Sequence, residues 1–74
     1  MDTKFKEMLA DVLEINASDV NESYILDVEG NWDSIAVLTT MSLIDDAYGI
    51  EIDGDDVALC DSASELYDLI NKTK

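Results

Sequence analysis

The chain has 74 residues, with 18 aspartates and glutamates, four lysines, no arginine and no histidine, so its formal net charge is −14. Binding of a phosphate backbone needs clustered lysine or arginine, so this balance argues strongly against nucleic acid as a partner. An anionic membrane surface is disfavoured for the same reason. The hydrophobic content of 47% is sufficient for a core, and we expect a single domain over residues 1–74.

Compartment and assembly are predicted from what the sequence lacks. The single cysteine, Cys60, allows no internal disulfide and offers no metal-binding spacing. No apolar run has the length of a membrane span, and the first residues lack the apolar core of a signal peptide. We therefore expect a cytoplasmic protein without a membrane span, and the high charge favours a monomer.

The first predicted helix runs from Thr3 to Glu14, with Asp2 or Thr3 as its cap. One face carries apolar residues at helical spacing: Phe5, Met8, Leu9, Val12 and Leu13. Residues 15–32 then lack helical periodicity, and a connection of this length in a compact domain is often functional. Its apolar residues are expected to pack onto the helices: Val20, Tyr24, Ile25, Leu26, Val28 and Trp32.

The second predicted helix starts at Asp33 or Ser34 and ends near Tyr48, where Gly49 supplies a left-handed residue. Its core stripe is expected to consist of five residues: Val37, Leu38, Met41, Ile44 and Tyr48. A milder second stripe comprises Ala36, Thr40, Leu43 and Ala47. No charged residue occurs from Ile35 through Ile44, so this helix is either central to the bundle or has an adhesive outer face.

Two further helices complete the predicted fold. A short one is expected from Gly54 to Leu59, capped by Asp53. The last begins with a capping box between Ser62 and Glu65, and its apolar stripe is Ala63, Leu66, Tyr67 and Ile70. The predicted class is all-α: a small four-helix bundle with three main helices, one short helix and a long loop between the first two.

Self-contained catalysis is not expected from these residues. No histidine is present to act as a base and no arginine to hold an oxyanion. Cys60 precedes Asp61, whose charge opposes thiolate formation, so we expect Cys60 to be a small buried hydrophobic residue. A calcium-loop register with Gly54 at position six puts Gly49 and Cys60 where acidic ligands are needed, which weakens a calcium-responsive function.

Ser34 has two possible roles. Asp and Ser are both preferred helix caps, and both stand at this helix start. Alternatively, Ser34 is a covalent acceptor, because an acceptor serine needs exposure but no internal base when a modifying enzyme supplies one. A helix N-terminus provides exposure, and its dipole favours an attached phosphate.

The sequence resembles the acyl carrier proteins over residues 3 to 72. The resemblance rests on the triplet Asp33-Ser34-Ile35, on apolar positions of the second helix such as Leu38 and Met41, on Gly49-Ile50-Glu51-Ile52, and on Leu66 through Ile70. It implies a four-helix bundle with no catalysis of its own and 4′-phosphopantetheine joined to Ser34. A phosphopantetheinyl transferase would install the group, and acyl or aminoacyl groups would be carried as thioesters.

The resemblance also implies a docking surface on the second helix, where enzymes that load and use the cargo would bind through basic or apolar patches. Carried over to this sequence, its residues are Asp33, Ile35, Leu38, Asp45 and Asp46. The pathway would belong to lipid or specialised metabolite biosynthesis.

Three features depart from the pattern of fatty-acid carriers. Ala36 and Thr39 stand where acidic residues are usual, and Trp32 precedes the triplet. The Asp53-Gly54 pair stands where many family members have a proline. The Trp-Asp-Ser sequence of residues 32–34 is similar to stand-alone carriers of specialised pathways. Trp32 is either a core residue that pins the loop or part of the interface. The alternative function is an unmodified acidic helical adaptor that binds basic protein partners.

Overall fold

The computed structural model describes residues 1–74, which form an all-helical bundle without strands. The helices are α1 (Thr3–Leu13), α2 (Ser34–Tyr48), α3 (Gly54–Ala58) and α4 (Ala63–Thr73), with a 3₁₀ turn at Ala17–Asp19. The predicted class, the three longer helices, the one short helix and the long first loop are thereby confirmed. None of the helices combines the length and the apolar character that a membrane span requires.

Helix α1 begins where Asp2 accepts a hydrogen bond from the Phe5 N–H group at 2.8 Å. It ends at Leu13, one residue earlier than predicted, because Glu14 adopts a left-handed conformation with φ of 58°. The Ile15 N–H group then bonds back to the carbonyl of Ala10 at 3.0 Å. A glycine is the usual residue at such a position, so the sequence offered no signal for this stop.

The long loop is pinned to the start of α4. The Leu26 N–H group donates to the carbonyl of Asp61, and the Ala63 N–H group donates to the carbonyl of Tyr24, both at 2.9 Å. Three of its apolar residues are buried as predicted: Val20, Leu26 and Trp32. The same prediction was wrong for Ile25 and Val28, which are exposed because the backbone turns their side chains outward.

Helix α2 extends over the predicted range, with Asp33 as its cap and Gly49 left-handed at φ of 66°. Its buried arc centres on Val37, Thr40 and Ile44. Leu38 was wrongly assigned to the core stripe, since its side chain is 64% exposed. Thr40 is buried instead, and its hydroxyl donates to the Ala36 carbonyl at 2.7 Å, which satisfies the polar group.

The last two helices show small differences from the prediction. Helix α3 ends at Ala58, and Leu59 is its cap residue with a 75% exposed side chain. At α4, the Ser62 hydroxyl accepts from the Glu65 N–H group at 3.2 Å, as a capping box requires. The Glu65 carboxylate accepts in return from the N–H group of Asp61, one residue outside the usual partner.

The two ends of the chain meet at Tyr48. The ammonium groups of Lys4 and Lys74 each lie 4.9 Å from the centre of the Tyr48 ring. A cation over an aromatic face is attracted by the ring quadrupole, so both contacts are favourable. They connect α1 and the end of α4 to the C-terminal end of α2. The long loop joins α2 at its opposite, N-terminal end.

Candidate functional site

Ser34 is the first residue of α2, and its side chain is exposed. The capping role belongs to Asp33, whose carboxylate accepts from the Ala36 N–H group at 2.8 Å. The Ser34 hydroxyl makes no hydrogen bond within the chain. The cap is therefore complete without Ser34. Its use as a covalent acceptor stays a prediction.

The loop before the helix holds Ser34 in a fixed direction. The N–H groups of Gly30 and Trp32 donate to the carbonyl of Asp27 at 2.9 and 2.8 Å. The side-chain oxygen of Asn31 accepts from the Asp27 N–H group at 2.8 Å. Trp32 is buried two residues before Ser34, and Asp33 caps the helix directly before it. The backbone is therefore held on both sides of the serine.

The exposed residues of α2 all lie on one face. Successive residues of an α-helix are separated by about 100°, so this face covers about 140° of the circumference. It comprises Ser34, Ile35, Leu38, Thr39, Ser42, Asp45 and Asp46. Four of the five residues predicted for docking therefore lie on the same face as the serine: Ile35, Leu38, Asp45 and Asp46.

Charge is unevenly distributed along that face. Its N-terminal part exposes Ile35 and Leu38, which are 73% and 64% exposed. Asp45 is about 16 Å further along the helix from Ser34, at 1.5 Å per residue. Asp45 and Asp46 also diverge, since Asp45 borders a depression with Glu51 whereas Asp46 borders one with Lys4 of α1. Within α2, the apolar and acidic parts of the predicted docking surface are thus separate.

A groove of about 640 Å³ opens beside Ser34, between the long loop, α2 and α3. Most of its lining is apolar, and it includes Val28, Trp32, Val37, Leu38, Met41 and Ala58. Sequence reasoning missed this groove. Val28 lines the groove because of the path of the loop, and Ala58 lines it because of the way α3 packs. Neither the loop path nor the packing of α3 has a local sequence signal.

The titratable groups with shifted pKa values lie outside the groove. Burial, followed by the charges of Glu65, Asp61 and Asp56, raises the pKa of Cys60 to about 11. The prediction of a buried cysteine is confirmed, and its thiol stays protonated at neutral pH. No group of three or more potential ligand side chains is placed to hold a metal ion.

A family model described as "Phosphopantetheine attachment site" matches residues 3–70. The chain belongs to this family. Its members carry a 4′-phosphopantetheine prosthetic group, so this protein is a phosphopantetheine-carrying carrier protein, and carrier domains of this kind are typically non-catalytic. Such a carrier requires a phosphopantetheinyl transferase and partner enzymes. Searches of curated proteins and of solved structures returned no significant match.

Proposed function

We propose that Ser34 bears the phosphopantetheine and that the carrier presents acyl or aminoacyl groups to enzymes of lipid or specialised metabolite biosynthesis. The observation that supports this most directly is the free, exposed Ser34 hydroxyl beside a cap completed by Asp33. The group supplies a thiol to which a carboxylic acid is joined as a thioester. The chain itself catalyses no step in this proposal, since it has no histidine and no arginine.

The helix start suits an attached phosphate. The N–H groups of Ser34 and Ile35 have no partner within the chain, because Asp33 engages only those of Ala36 and Val37. Unpaired N–H groups and the positive end of the helix dipole favour negative charge at this position. The phosphodiester therefore gains a local attraction that offsets part of the repulsion from the net charge of −14.

Partner enzymes are proposed to contact the uncharged start of α2 through an apolar patch. Ile35 and Leu38 flank the serine and are well exposed, and such apolar exposure is typical of an interface. Leu38→Ser should lower kcat/KM for loading of the carrier. Leu59→Ser is the matched control, because Leu59 is equally apolar and 75% exposed but lies at the end of α3. Equal losses in both variants would contradict the docking assignment.

Attachment is tested by intact mass. The carrier is incubated with a broad-specificity phosphopantetheinyl transferase, coenzyme A and Mg²⁺, alongside a control carrier. A gain of one phosphopantetheine is expected, and Ser34→Ala should abolish it. Ser42→Ala should retain it, because Ser42 is an exposed serine on the same face of α2. No gain while the control carrier is modified would refute the proposal and favour an unmodified acidic adaptor.

A further inference from the structure

Trp32 forms the floor of the groove beside Ser34. Its side chain is 1% exposed, yet it borders the groove from below. The indole N–H group donates to the Val57 carbonyl at 3.1 Å, which fixes the ring between the end of the loop and α3. A buried indole whose N–H group is paired is held in place by both its packing and its hydrogen bond. The indole therefore occupies the interior between the loop and α3 on one side of the groove.

Helices α2 and α3 approach each other closely where Met41 and Gly54 line the groove. At Gly54 an added Cβ atom would stand only 3.0 Å from the sulfur of Met41, so α3 starts almost in contact with α2. Met41 is seven residues after Ser34, which corresponds to about 10 Å along the helix. The apolar lining is thus short, with a floor at Trp32 and a wall at Gly54 and Met41.

We propose that Trp32 limits how much of an acyl chain the carrier can shelter, by closing the bundle beneath Ser34 and confining the chain to this short surface groove. The inference rests on the proposed attachment at Ser34. Acyl groups of a few carbons are covered by Val28, Leu38 and the indole. The remainder of a longer chain stays outside the protein and is available to a partner enzyme.

The first test uses the carrier loaded on Ser34 with acyl groups of increasing length, with each loading checked by intact mass. We expect Tm to differ by less than about 2 °C between eight- and sixteen-carbon chains. Burial of those extra methylenes inside the bundle would instead raise Tm by more than about 10 °C. Trp32 is the only tryptophan. Its fluorescence maximum should stay unchanged on loading, and a shift that grows with chain length would overturn the inference.

Substitutions distinguish the effect of the buried Trp32 from that of exposed apolar residues. Trp32→Leu removes the floor, so Tm should continue to rise with chain length beyond the wild-type plateau. Ile25→Ala is the control and should leave the plateau unchanged, because Ile25 is an exposed apolar residue of the same loop that does not line the groove. Trp32→Phe keeps an aromatic ring and should keep the plateau, even if Trp32→Leu does not fold. A steady rise in the wild type or in Trp32→Phe would overturn the inference.

A second experiment tests the role of Trp32 without the transferase. In Ser34→Cys with Cys60→Ala, the new thiol adds across the double bond of N-alkyl maleimides of increasing length, and its proton passes to the neighbouring carbon. The same plateau in Tm is expected, with the same extension in Trp32→Leu. Failure to modify Ser34 with coenzyme A would refute the attachment, whereas a continuous rise of Tm in this arm would refute the role of Trp32 alone.

Discussion

Substitution of Asp33 separates the two roles assigned to this residue, helix cap and partner contact. Its carboxylate accepts from the Ala36 N–H group at 2.8 Å, which is a complete N-cap. Asp33→Ala removes the acceptor and should lower the free energy of unfolding by about 1 kcal/mol. For a domain of this size, that corresponds to a fall in Tm of about 4–8 °C.

Asp33→Asn retains the cap but removes the charge. Asn and Asp are equally good caps, so the hydrogen bond to Ala36 should persist. The lost charge–dipole attraction is about 0.3–1 kcal/mol, and it is offset by relief of repulsion in a chain of charge −14. We therefore expect Tm within about 2 °C of the wild type.

The rate of phosphopantetheine transfer then tests the contact. An exposed ion pair contributes about 0.2–1 kcal/mol, so loss of the charge should lower kcat/KM by about 1.5- to 5-fold. The difference should vanish in concentrated salt. Asp68→Asn is the control, because it removes one exposed charge from α4. If Asp33→Asn matches Asp68→Asn at every salt concentration, Asp33 is a cap only. If Asp33→Asn melts like Asp33→Ala, the capping argument is wrong.

Three further predictions concern stability. Glu14→Gly should raise the free energy of unfolding by about 1 kcal/mol, because glycine tolerates φ of 58° and the change removes a negative charge from a helix C-terminus. Glu14→Ala keeps the strained Cβ, so equal thermal melts of the two variants would contradict this explanation. Added NaCl or Mg²⁺ should raise Tm by screening the net charge of −14, and an unchanged Tm would count against the assumed repulsion. Stability should fall as pH rises from about 9 to about 11, because the unfolded Cys60 thiol ionises before the buried one. Urea unfolding of Cys60→Ala should show a shallower fall, and an identical pH profile would refute this assignment.

The limits of sequence reasoning are clearest on α2. Its ends were predictable because Asp33 and Gly49 act through local chemistry, as a cap and as a left-handed residue. Its buried face was not, because a helix without charges from Ile35 through Ile44 has no polar side to mark the solvent. Leu38 was therefore assigned to the core and Thr40 to a minor stripe, while the packing of the neighbouring helices buries Thr40 instead.

In the candidate site, too, features with a local sequence signal were predictable and features that depend on packing were not. Ser34 was identified from a triplet at a helix start, and its role in attachment stays a prediction. The structure adds that the cap belongs to Asp33 and that Trp32 lies in the core, two points on which the sequence allowed alternatives. The groove depends on contacts between the loop, α2 and α3, so no single segment of the sequence carried a signal for it.

The separation of charge from the contact surface has a consequence for partner association. A net charge of −14 attracts a basic partner over a distance, and such steering raises the association rate in a salt-dependent manner. Apart from the cap residue Asp33, the exposed surface next to Ser34 along α2 is uncharged, and we propose that Ile35 and Leu38 supply the contacts that hold the complex.

Salt should therefore lower the association rate constant with a partner enzyme and leave the dissociation rate constant nearly unchanged. Leu38→Ser should do the reverse, raising dissociation without altering the salt dependence of association. Stopped-flow measurements at several salt concentrations distinguish the two. A dissociation rate that climbs steeply with salt would mean that charged groups hold the complex together, and the docking surface would then have to be centred on acidic residues instead of on Ile35 and Leu38.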